Sequence, residues 1–278
     1  MILGIHCSVQ HGFLRALHRA AALRCSAMQM LPYRRHLIPE SPMFTEFRAK
    51  RARGTVRRLL THSRYIPRLC STDRARRRRS IELLRRELAW SAAWGAEAHV
   101  LHAGAWSEDS SREEGLRLAA QAVAEALDRA GVPLKVLVEN VPGGGRRMGG
   151  ALDDLARLLD ALRRTGKECG VCLDTAHAWA AGNDISTAEG MLRFLARAER
   201  FLGPQSLQAF HLNNTRSLLG SQRDNHCAWA EGCLTPEALA ALLSRPQYAD
   251  RIGILEPPAA ADAAQELDFV RRLASGVP

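Results

Sequence analysis

Short apolar runs alternate along the chain with longer stretches in which apolar residues recur every three or four positions. Eight runs have the length of a strand: 1–6 (MILGIH), 25–30 (CSAMQM), 57–62 (RRLLTH), 98–103 (AHVLHA), 134–140 (LKVLVEN), 170–174 (GVCLD), 207–212 (LQAFHL) and 251–256 (RIGILE). The stretches between them carry helical spacing, as in Ile81, Leu84 and Leu88 or Leu155, Leu158, Leu159 and Leu162. Strand and helix in alternation predict a parallel sheet built from βα units, and eight such units predict an α/β fold closed as a (β/α)8 TIM barrel, one domain over residues 1–278. The second and third units are the least regular: LPYRRHLIPESP is rich in Pro, and TEFRAKRA predicts only a short helix. PGGGRRMGG (142–150) lacks the Lys-Ser or Lys-Thr of a phosphate-cradling loop and is expected to be a flexible βα connection.

Composition narrows the class. With 46% hydrophobic and 24% charged residues the chain has the balance of an ordinary globular protein, and no apolar run approaches the roughly 20 residues of a membrane helix. The opening MILGIHCSVQHGF has no basic leader before a long apolar segment, so no secretory signal and a cytoplasmic location are expected. Lys and Arg outnumber Asp and Glu by 39 to 29, a net charge of +10, which favours a polyanionic partner such as nucleic acid; ribosomal and membrane-surface proteins share that excess. The seven cysteines do not form a paired framework and are expected to be reduced; Cys169 and Cys172 form a CxxC with no second copy, which predicts strand packing rather than a zinc knuckle.

The candidate chemistry lies at the ends of the predicted strands. In an α/β barrel those ends converge on one mouth. His62 ends the third run, His102 and Glu139 lie near the ends of the fourth and fifth, and Asp174 ends the sixth with His177 just behind it. His211 closes the seventh, with Asp224 and His226 in its long loop, and Glu256 closes the eighth. A lone His or Glu in a barrel is usually a hydrogen-bonded structural group. Nine on one rim would incur desolvation and like-charge costs that bound cations remove. Imidazole mixed with carboxylate suits Zn2+, with Mn2+ or Fe2+ as alternatives, and nine ligands call for two or three ions.

The blocks GIHCS, THSRYI, HAG, ENVPGGG, CLDTAHAWAAGND, HLNNT, GSQRDNH and ILEPP follow one another along nearly the whole chain. In that order and approximate spacing the sequence resembles the endonuclease IV family, abasic-site endonucleases with three zinc ions in a xylose-isomerase-like barrel. The resemblance implies that His62, His102 and Glu139 hold a first zinc. Glu139 would bridge to a second, also held by Asp174, His211 and Glu256, while His177, Asp224 and His226 would hold a third. It further implies base-excision repair chemistry on duplex DNA: hydrolysis 5′ to an abasic site, leaving a 3′-hydroxyl and a 5′-deoxyribose phosphate, by a monomer without membrane attachment. Glu139 and Glu256 are the expected catalytic residues, Glu256 also orienting the attacking hydroxide.

By the same resemblance Arg34, Arg35, Tyr65 and Ile66 fall near the positions that contact DNA. The basic run RARRRR (74–79) could meet phosphates or form a solvated helix face. Four positions depart from the family pattern: Ala103 for Pro in HPG, Ala176 for Cys, Asn214 for Asp, and Trp229 in place of a Gly-rich turn. None removes a ligand, though Trp229 beside His226 is expected to alter the surroundings of the third ion. Two other readings stay open on the residues alone: a xylose-isomerase-like sugar isomerase or epimerase, which needs about four ligands, and a catalytically inert DNA-binding barrel.

Overall fold

The computed structural model describes residues 1–34, 38–64 and 68–276. Seven strands come first: β1 (Ile2–His6), β2 (Ala27–Met30), β3 (Arg58–His62), β4 (Ala98–His102), β5 (Lys135–Glu139), β6 (Cys169–Asp174) and β7 (Leu207–His211). The loop after β7 holds an antiparallel hairpin of β8 (Asn214–Thr215) and β9 (His226–Cys227), and β10 (Ile252–Leu255) follows. The eight long strands close into a parallel barrel in the order β1-β10-β7-β6-β5-β4-β3-β2, the (β/α)8 fold that the alternation predicts. Around it stand α1 (Phe13–Ala22), α2 (Ser41–Arg53), α3 (Arg74–Trp94), α4 (Arg112–Ala130), α5 (Leu152–Arg163), the short α6 (Thr175–Ala180), α7 (Ala188–Leu202), α8 (Pro236–Leu243) and α9 (Ala263–Ala274).

Alternation along the strands separates two cores. Ala27, Leu60, Ala98, Val100, Leu137, Cys172, Ala209, Ile252 and Ile254 pack together inside the barrel. The neighbouring strand residues, such as Met28, Leu59, Leu101, Val138, Leu173 and Phe210, face outward into the larger cluster under the helices. The small interior residues let the barrel close. Gly4 on β1 is an extreme case: a Cβ there would lie 2.0 Å from the Ala27 carbonyl oxygen on β2.

Three local expectations change. α2 runs for 13 residues rather than the short TEFRAKRA segment, because Pro42 suits a first helical turn and Phe44 in that turn packs edge-on against Trp94. Residues 142–150 are folded rather than a loose connection: Met148 is buried and its N–H donates to the Gly104 carbonyl (2.9 Å), and Ala105 bridges Arg147. Positive φ at Gly143, Gly144, Gly145 and Gly149 makes that compact path possible. Trp229 turns away from the rim into the core, where its indole N–H donates to the Leu212 carbonyl (3.1 Å), so it does not crowd His226. The cysteines are all free, with Cys172 inside the barrel and Cys169 on its outer side, as strand packing requires.

Candidate metal centre

The interior phase of each strand, continued two residues past its last apolar interior residue, lands on a polar side chain. Leu60 leads to His62, Val100 to His102, Leu137 to Glu139, Cys172 to Asp174, Ala209 to His211 and Ile254 to Glu256. On the two remaining strands the same step gives His6 after Gly4 and Gln29 after Ala27. Strand register keeps these residues level, with His6 opposite Gln29, His102 opposite Glu139 and Asp174 opposite His211. One polar layer therefore caps the apolar barrel core.

Within that layer the ligand atoms fall into three overlapping groups, each with all its atoms within 4.8 Å of one another: His62, His102 and Glu139; Glu139, Asp174, His211 and Glu256; and Asp174, His177 and His226. Asp224 reaches the third group, 3.4 Å from His177 Nε2 and 3.3 Å from His226 Nε2. Asp174 belongs to two groups, so it stands between the second and third positions. Its Oδ1 caps α6 by accepting the His177 N–H (2.7 Å), which leaves Oδ2 directed at the cluster.

The imidazoles are oriented from behind. His62 Nδ1 lies 2.8 Å from the Ser63 carbonyl and His177 Nδ1 lies 2.9 Å from the Asn140 carbonyl. A carbonyl only accepts, so each Nδ1 carries the proton and each Nε2 offers its lone pair to the cluster. His211 is reversed: Nε2 meets Gln29 Oε1 at 3.0 Å, and Nδ1 faces Glu139 Oε1 at 2.8 Å. Asn213 holds two carboxylates at once, its Nδ2 donating to Asp174 Oδ2 (2.7 Å) and Glu256 Oε2 (3.1 Å).

A cation fits this donor set. His177 Nε2 and His226 Nε2, which face the cluster, are buried with no hydrogen-bond partner among the described residues, a cost that a divalent ion or a proton would relieve. The charges show the same need. Burial opposes ionisation of Glu139, but His211 and His102 hold its carboxyl well below the usual range. Burial likewise opposes a charge on His177, yet Asp174, Asp224 and Glu139 lift it well above a free imidazole. His102, with less carboxylate around it, is pushed down by burial to about 4.

All nine sequence-predicted ligand candidates thus converge on one rim. Of the expected DNA contacts, Arg34 is half-buried in the segment after β2, while Arg35, Tyr65 and Ile66 lie outside the described residues. In the basic run, Arg77 is tied back to the Ser71 carbonyl. Arg76 lines a cleft of about 980 Å3 beside the rim, together with Arg68, Arg146, Arg147 and Arg223. The residues that the motif reading passes over are Gln29, Asn213, Asn140 and His6; the interior phase of β1 and β2 marks two of them, and the amides of the other two carry no spacing signal.

The profile of the family described as Xylose isomerase-like TIM barrel matches residues 17–273. A protein named "Probable endonuclease 4" from Nitratidesulfovibrio vulgaris (strain DP4) is 33% identical over 98% of this chain and 99% of its own length, and one of the same name from Solibacter usitatus is 33% identical over 99% and 97%. Among solved structures, endonuclease IV from Thermus thermophilus superposes with a TM-score of 0.86 at 28% identity, covering 100% of both chains. A D-tagatose 3-epimerase-like protein reaches 0.76 at 17% identity, a likeness of fold alone. With a barrel of this topology, nine metal-capable side chains on its rim and relatives matched from end to end, the chain belongs to the endonuclease IV family of xylose isomerase-like TIM barrels.

Proposed function

We propose that this protein is a metal-dependent endodeoxyribonuclease that hydrolyses the phosphodiester 5′ to abasic sites in duplex DNA, leaving a 3′-hydroxyl and a 5′-deoxyribose phosphate for base-excision repair. The observation that carries this reading is the overlap of three ligand groups through Glu139 and Asp174. His62, His102 and Glu139 would hold one zinc, Glu139, Asp174, His211 and Glu256 a second, and Asp174, His177, Asp224 and His226 a third. When bound, such ions act as Lewis acids that supply a nucleophile near neutral pH and stabilise charge developing on a phosphate.

The chain's own groups prepare the site for that work. Glu256 is pinned at both oxygens by Gln29 and Asn213, and His62 and His177, each donating from Nδ1 to a carbonyl, keep Nε2 as the nitrogen that would meet an ion. The arginine-lined cleft and the +10 net charge suit a phosphate backbone running past the rim. Arg34, and by the family resemblance Arg35, Tyr65 and Ile66 outside the described residues, are candidate contacts around the lesion.

End-labelled duplex bearing one abasic site tests this reading. The untreated protein should cut on the 5′ side of the lesion, and prolonged chelation should abolish cutting until zinc is restored. Glu256→Gln should fold but turn over about three orders of magnitude more slowly, equivalent to about 4 kcal/mol, since one face of the new amide must meet the N–H of Gln29 or Asn213. An intact duplex with fully loaded protein, or cutting that survives chelation, would overturn the proposal.

A further inference from the structure

Gln29 is the one member of the polar layer that cannot ionise, and it is completely buried. Its orientation is fixed by chemistry. Nε2 lies 2.8 Å from Glu256 Oε1, and an ionised carboxylate can only accept, so the amide must present its NH2 to Glu256 and its oxygen to His211. The same NH2 donates its other hydrogen to His6 Nδ1 at 3.1 Å. His211 Nε2, 3.0 Å from Gln29 Oε1, then has to carry the proton of the neutral ring, which reserves Nδ1, facing Glu139, Asp174 and Glu256, as the lone pair that a cation would use.

We infer that Gln29 is a positioning residue for the middle metal position, setting the His211 tautomer through its oxygen and the direction of the Glu256 carboxylate through its nitrogen. The inference rests on the metal-centre reading above. It goes further by assigning the affinity of one ion to an uncharged side chain that touches no ion. Two of the four ligands at that position, His211 and Glu256, are joined by a single amide whose two ends are not interchangeable. His6 completes the chain by accepting the second amide hydrogen, which prevents the amide from turning over.

The test reads metal retention and requires no turnover. Zinc-loaded full-length protein is mixed with a chromogenic chelator, and both the number of ions and their release rates are followed. Gln29→Met keeps the length of the side chain and removes both hydrogen-bonding ends, so one ion per chain should leave about 10- to 100-fold faster than in the unsubstituted protein. Gln29→Glu restores an acceptor to His211 and should release that ion clearly more slowly than Gln29→Met. Unchanged release from Gln29→Met, or release from Gln29→Glu as fast as from Gln29→Met, overturns the inference. Incision of abasic duplex is assayed separately: protein that retains three ions in this Gln29-dependent way yet leaves the duplex intact removes the proposed function and keeps the role of Gln29.

Discussion

At the scale of single residues, Asn214 shows why a position that departs from a family pattern can still be locked by its surroundings. Its Nδ2 donates to the carbonyls of Trp229 (3.0 Å) and Leu234 (2.9 Å), and its Oδ1 accepts the N–H groups of Leu234 and Thr215. Gly232 packs so closely that a Cβ there would lie 2.1 Å from Asn214 Cγ. Asn214→Asp would set a buried carboxylate oxygen against two carbonyls. It should destabilise the fold by about 1–3 kcal/mol for each unsatisfied carbonyl, seen as a lower urea midpoint with an unchanged slope. The nine ligand candidates were legible in the sequence because His, Asp and Glu at strand ends are chemically conspicuous. Asn213 and Asn140 were not, and Gln29 only by its place in the interior phase of β2, since an amide gains its role from what faces it, and that is set by strand register rather than by neighbours in the chain.

At the scale of elements, α3 joins the outer ring to the rim. Asp73 caps its first turn by accepting the N–H groups of Ala75 (2.9 Å) and Arg76 (3.0 Å), and Gly95 ends it in the left-handed region with φ 75°. On its inner face Glu87 is buried and accepts from Ser63 Oγ (2.9 Å) and from the Arg64 N–H (3.2 Å). Ser63 in turn supplies the carbonyl that fixes His62. Glu87→Ala should therefore cost about 1–3 kcal/mol in urea unfolding, by removing the acceptor of the Arg64 N–H, and should loosen the root of the loop after β3. Glu87→Gln, which fills the same space and keeps one acceptor, should lose less; equal losses would show that both carboxylate oxygens are required and that the space Glu87 fills contributes nothing. Strand periodicity marked every barrel strand to within two residues, because burial on both faces demands continuous apolar runs. The β8–β9 hairpin has two residues per strand and no such signature, and the added first turn of α2 packs through Phe44 on Trp94, a contact between segments distant in sequence.

At the scale of the whole molecule, the barrel's apolar core ends in a layer of carboxylates that must be balanced by metal ions or by protons. Burial opposes charge on His62, His177 and His211, but the surrounding carboxylates raise all three above a free imidazole, His177 and His211 by a wide margin. Without metal these rings keep protons that an unfolded chain gives up above about pH 6.5. A raised pKa of this kind stabilises the fold fully below that value, and the contribution is lost as pH climbs toward the folded values. His102, pushed down to about 4, has the opposite sign but acts only below about pH 6.5, where an unfolded imidazole takes up protons. The buried thiols Cys7 and Cys70, raised to about 12, matter only above about pH 8.5, where unfolded thiols ionise. Between those limits the imidazoles act alone. The thermal midpoint of the chelated protein should therefore fall as pH rises from about 6.5 to 8, while zinc loading in the same range should release protons and bind more tightly at the higher pH. Scanning calorimetry across that window, with proton release followed in weakly buffered solution, checks both signs; a chelated protein whose midpoint rises with pH would show that protons do not occupy the cation positions.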